Sequence, residues 1–117
     1  MEEAIHILLS GVFSEIHRQY NHNETVVYPY GTFTTNIEAI DRDTEGVYLD
    51  IDLFDRHTND DRLMEVEYKL RKELRAKQLL TEELLLRFQF VRSTDVSTND
   101  SDIKRRKLSF YIKLNRR

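Results

Sequence analysis

From Val47 to Phe54 the chain reads Val-Tyr-Leu-Asp-Ile-Asp-Leu-Phe, so Val47, Leu49, Ile51 and Leu53 share one side of an extended backbone and Tyr48, Asp50, Asp52 and Phe54 the other. Successive side chains of a strand point to opposite faces, so this period of two fits a half-buried β-strand and no helix. The pattern returns along the chain. Leu84, Leu86, Phe88 and Phe90 oppose Leu85, Arg87, Gln89 and Val91, while Leu108, Phe110, Ile112 and Leu114 oppose Ser109, Tyr111 and Lys113. A weaker case, Phe33, Thr35, Ile37 and Ala39, lies within residues 32–40. Strands that are apolar on one side only need a cover, and two helical stretches can supply it.

The first is residues 2–20. Ile5, Leu8, Leu9, Val12, Ile16 and Tyr20 recur at helical spacing while Glu3, Ser14, Glu15, Arg18 and Gln19 face outward. Gly11 costs this helix about 1 kcal/mol relative to alanine. It either lets another backbone come close or serves no purpose, and the sequence leaves both open. Residues 21–24 are polar and end the helix, and Pro29 keeps Tyr28 out of the helical region. Residues 41–46, Asp-Arg-Asp-Thr-Glu-Gly, read as a hairpin turn in which Gly46 is free to take a positive φ. Thr58, Asn59 and Asp60 are capping residues ahead of a second helix reaching about Lys77, with Leu63, Val66, Leu70 and Leu74 inward. Glu65 with Lys69, Glu67 with Arg71 and Glu73 with Lys77 mark its solvated face, each pair contributing roughly 0.2–0.5 kcal/mol. Residues 93–102 read as a long, flexible polar loop between the last two strands.

The order helix, strand pair, helix, strand pair predicts a single α+β domain over residues 1–117. Its two α-helices pack on one face of a single antiparallel β-sheet, a mixed sheet being the variant left open.

Most chemistry lacks its residues. The chain has no cysteine, which removes disulfides, thiol catalysis and cysteine-ligated metals, and it fits an intracellular setting without requiring one. Only three glycines occur, and neither a phosphate-binding loop nor a dinucleotide fingerprint nor a serine elbow can be written from them. No enzyme activity and no cofactor are expected. Asp50 and Asp52 share a strand face and could approach one hard cation, which keeps a metal-dependent hydrolase as a minor alternative. Asp55 and His57 read as lying past the strand end, and outward-facing aspartates on a half-exposed strand are ordinary. His6, His17 and His22 show no ligand spacing. With Glu2 and Glu3 in the first turn and no apolar run long enough to span a bilayer, neither a signal peptide nor a membrane partner is expected.

Charge is unevenly placed. Residues 1–102 carry 11 Lys or Arg against 21 Asp or Glu, whereas residues 103–117 carry seven basic side chains and no acidic one. Such a split can steer head-to-tail association of copies or attract a differently charged partner, or it is simply a solvated strand face. Lys104, Arg105, Arg106, Lys107, Lys113, Arg116 and Arg117 with Tyr111 suit phosphate contact, but the acidic body opposes tight DNA binding. Lining a DNA path without gripping it fits the same charges.

An N-terminal helix, then Tyr28-Pro-Tyr-Gly-Thr-Phe33, a turn, the acidic strand through Asp55, a polar gap and the helix from Asp60 together resemble the tail terminator proteins of long-tailed bacteriophages, also called tail-completion or tail-to-head joining proteins. The likeness covers nearly the whole chain. It implies a virion structural protein of the tail or neck, assembled in the host bacterial cytoplasm as a homo-oligomeric ring, a hexamer. That ring caps the tail tube protein, ends its polymerisation and meets the head-completion or neck proteins, with DNA passing unread through the lumen. Candidate interface residues are Tyr28, Tyr30, Phe33, Asp50, Asp52, Asp95, Asp100, Asp102, Lys104, Arg105, Arg106, Lys107, Arg116 and Arg117. For the aromatics, plain core packing is an equal reading. Another neck component, a stopper or adaptor, is the near alternative; a small cytoplasmic binding module using the basic last strand as an exposed edge is the distant one.

Overall fold

The computed structural model describes residues 1–19, 26–75 and 77–116. Its elements are α1 (Glu2–Val12), β1 (Ile16–Arg18), β2 (Tyr30–Ala39), β3 (Thr44–Arg56), α2 (Asp61–Leu74), β4 (Gln78–Leu80), β5 (Leu84–Val96) and β6 (Ile103–Arg116). The strands form one sheet in the order β1-β2-β3-β6-β5-β4. Only β1 and β2 run parallel; the other neighbours are antiparallel. This is the α+β architecture expected from the sequence, in its mixed-sheet form.

Register explains why the apolar sides add up. Val47, Leu49 and Ile51 stand opposite Ile112, Phe110 and Leu108, and Phe88 and Phe90 stand opposite Ile112 and Phe110. The alternating sides of three long strands thus merge into one patch. Ile5 and Leu9 of α1 and Leu63, Leu70 and Leu74 of α2 close over it, all fully buried. The Tyr28–Pro29 peptide that leads into β2 is cis.

Several expectations change. The opening helix stops at Val12, because Phe13 is extended, and Ile16 pairs with Gly31 in β1 instead of continuing a helical stripe. Apolar residues four apart serve equally well when the chain turns down onto a sheet, and Gly11, Val12 and Phe13 are poor helix formers. Tyr20, His22 and the polar stretch 21–24 lie outside the described residues. Gly46 is not in the turn and has no positive φ: it lies in β3 opposite Glu38 and Lys113, with the Tyr111 ring lying over it. The tight turn is residues 40–43, held by the Asp41 carboxylate, which accepts from the N–H groups of Asp43 (3.1 Å) and Thr44 (3.0 Å). β5 runs through Val96, so the connection to β6 shrinks to residues 97–102. Asp55 is inside β3 rather than past its end, fully buried, and receives Arg62 through both carboxylate oxygens at 2.7 and 3.1 Å. Finally, Glu67 is not on a solvated face. It is 3 % exposed, beneath Arg106 and Ser93.

Candidate assembly interface

Both helices lie on one side of the sheet, and no described element covers the other. The register arranges that open face in rows. Tyr30, Phe54, Arg105 and Val96 form the first; Thr32, Asp52, Lys107 and Thr94 the second; Thr34, Asp50, Ser109 and Arg92 the third; Asn36, Tyr48, Tyr111 and Gln89 the fourth.

The first row is an aromatic ladder ending in a guanidinium. Tyr30 stacks on Phe54 at 4.9 Å between ring centroids, and Tyr28 tilts against Tyr30 at 5.6 Å. Arg105 lies 5.3 Å from the Phe54 centroid while its Nε and Nη2 donate to Asp52 Oδ1 at 3.3 and 3.1 Å. Arg56 stands 5.9 Å from the Tyr28 ring. Each cation–π contact of this half-exposed kind contributes about 0.5–1 kcal/mol, and the carboxylate fixes the plane of the guanidinium. Burial pushes the Tyr30 hydroxyl above its ordinary pKa of 10.0, Tyr28 adds to the rise and Arg105 opposes it. Farther along the same face, Ser109 donates to Asp50 at 2.8 Å, and the Tyr48 and Tyr111 rings meet edge to face at 5.1 Å. Tyr111 is also raised from 10.0, by desolvation first and then by Glu38 and Tyr48.

Of the residues singled out in the sequence, the fold therefore gathers Tyr28, Tyr30, Asp52 and Arg105 at one site, with Asp50 and Lys107 beside them. It sends the others elsewhere. Phe33 belongs to the core at 1 % exposure, on the helix side, its ring 5.5 Å from that of His6. Arg106 also points to the helix side, donating to Glu67 at 2.9 Å and to Ser93 at 2.9 Å. Arg116 pairs with Glu45 at 2.6 Å at the far end of the sheet. Asp95 stands opposite Arg106 on β5. Asp100 accepts from the Asp102 N–H at 2.9 Å and lies 3.6 Å from Arg56, while Lys104 donates to the Ser101 carbonyl at 2.7 Å. Arg117 lies outside the described residues. Phe54 and Arg56 complete the ladder without having been foreseen; the side each takes follows from alternation, but their partners follow only from cross-strand register.

No protein-family model matches the chain, and no curated protein matches it significantly in sequence. In structure it is similar to a chain of the virion of a native gene transfer agent particle, with a TM-score of 0.72 at 13% identity, over 92% of this chain and 84% of that one. The two share a fold.

Two functional alternatives meet the geometry directly. β6 lies between β3 and β5, so the basic strand is no edge and cannot add a peptide strand. The residues at the sheet edges belong to β1 and β4, three residues each, and to the parts of β2 and β5 that these leave uncovered. Asp50 and Asp52 are held by Ser109 and Arg105, and among the described residues no three His, Cys, Asp or Glu side chains converge on a common point. No described helix is long and apolar enough to cross a membrane.

Proposed function

We propose that the chain is a virion structural protein that closes a phage-type tail: it assembles as a ring on the last ring of the tail tube, stops tube growth and meets the head-completion proteins. The observation that carries this reading is the likeness, over 92% of its length, to a chain of a gene transfer agent virion. The order of motifs from Tyr28 to Asp60 supports the narrower role of tail terminator. On this reading the Tyr28–Tyr30–Phe54–Arg105 ladder is a contact surface for the tube or neck protein, since aromatic and arginine side chains dominate the energetics of protein interfaces. DNA passes through the ring without base-specific contact.

The test is mass and image. Mixed with tube protein, the chain should give ring-sized particles of several times 14.1 kDa in negative stain and should cap tubes at one end. Arg105→Glu should leave the chain folded and its own association intact while weakening tube or neck binding about tenfold or more. A chain that stays monomeric with tube and neck proteins present overturns the reading.

A further inference from the structure

The two lateral edges of the sheet differ in charge, and among the described residues each is only partly covered. β1 pairs with Gly31 to Phe33 only, so among the described residues β2 is bare from Thr34 to Ala39. This stretch, Thr-Thr-Asn-Ile-Glu-Ala, has none of the lysines, prolines or bulges that normally protect an edge. It leads into an acidic corner, with Glu38, Asp41 and Asp43 against the single Arg42, and Ile37 and Ile40 are 55 % and 48 % exposed there. At the opposite edge β4 and Lys77, whose carbonyl accepts from the Phe88 N–H at 2.8 Å, cover Leu85 to Phe88, and among the described residues β5 is bare from Gln89 to Val96, with one bulge at Val91. Beside it opens a groove of about 650 Å3 lined by Tyr68, Arg71, Lys72, Arg75 and Phe90. Three cations and two aromatic rings thus line a groove beside the uncovered part of β5, and a carboxylate cluster with exposed Ile37 and Ile40 lies at the end of the part of β2 that no described residue covers.

Direction agrees as well. β2 is antiparallel to β3, β3 to β6 and β6 to β5, so β2 and β5 run oppositely. A neighbour that continues the sheet thus brings its β2 antiparallel to β5. The β2–β3 turn and the C-terminal end of α2 also lie at the same end of the sheet, where Thr44 faces Asn115 and Gln78 faces Arg87.

We propose that the partner of each edge is a second copy of this chain: β2 of one copy adds to β5 of the next, and its Glu38–Asp43 corner seats in the Arg71–Lys72–Arg75 groove. Such a contact is heterologous and leaves a free edge at each end of any open assembly, so it closes only as a ring. The inference rests on the ring reading above and supplies its interface.

Charge reversal in halves tests it. Lys72→Glu/Arg75→Glu reverses the groove, and Glu38→Lys/Asp43→Lys reverses the corner; all four positions are exposed. Each double variant alone should keep its circular dichroism and melting temperature yet self-associate about 100-fold more weakly by sedimentation. An equimolar mixture of the two should recover association, because each interface is then again of opposite sign, and so should one chain carrying all four changes. Ile37→Lys should block association from the strand side. Rings that persist in the folded double variants, or a mixture that is not rescued, overturn this interface while leaving the ring itself standing. A wild-type chain that remains at 14.1 kDa both alone and with tube protein overturns interface and ring together.

Discussion

At the scale of single residues, two positions govern how the sheet is packed and one pair of tyrosines governs how it answers to pH. Glu67 is buried with Arg106 and Ser93 against it, and it also lies 3.9 Å from Arg71. Removing it strands the Arg106 cation, so Glu67→Ala should cost about 3–5 kcal/mol in urea unfolding, whereas Glu67→Leu with Arg106→Leu should recover most of that loss. Sequence spacing revealed the Glu67–Arg71 pair but not its burial, because the residues that cover it come from β5 and β6, far along the chain. Gly46 is a second such case. An added Cβ would collide with the Tyr111 ring, so Gly46→Ala should destabilise by about 1–2 kcal/mol, and the same change in a Tyr111→Ala background should be neutral or stabilising. Tyr30 and Tyr111 both have raised pKa values in the folded state, so the folded protein holds their protons longer than the unfolded one. Their contribution is complete below pH 10.0 and is lost as pH rises through the folded values. Melting temperatures from pH 8 to 11 should therefore fall at the alkaline end, and less steeply in Tyr30→Phe/Tyr111→Phe.

Elements were legible where one period ran long enough to exclude the other. β3, β5 and β6 each show sustained alternation, and α2 has a clean stripe from Leu63 to Leu74. The first segment failed because Val12 and Ile16 satisfy the helical spacing while belonging to different elements. β4 has three residues and no period to read. Gly11 now has a decidable role. Outside its own helix, nothing among the described residues lies within 4 Å of a Cβ placed there, so no described backbone needs the space. Gly11→Ala should raise stability by about 0.5–1 kcal/mol in thermal unfolding. If the variant gains stability but loses association, the glycine serves a partner's backbone; if association is unchanged, it serves none.

On the scale of the whole molecule, the charge split seen in the sequence is partly absorbed by the sheet. Arg105, Arg106 and Arg116 meet Asp52, Glu67 and Glu45 across strand or layer. The alternation of β6 divides its cations between the two faces, and no linear count of charge can show that division. The candidate site was legible to a similar degree: Tyr28, Tyr30, Asp52 and Arg105 were named, but only the register makes them neighbours. Because Asp50 and Asp52 already have partners, adding divalent cations should leave the melting temperature unchanged; a rise that saturates with concentration would restore the metal reading.

The central position of β6 also orders events in time. Every strand except β6 is made before residue 103, yet until β6 arrives β1-β2-β3 and β5-β4 are two separate half-sheets, each with an apolar face and an inner edge bare. Synthesis therefore holds the chain in its stickiest form until residues 103–116 have been made. A nascent chain stalled before Ile103 should be a client of chaperones, and release of β6 should act as the single stroke that commits both halves to one body.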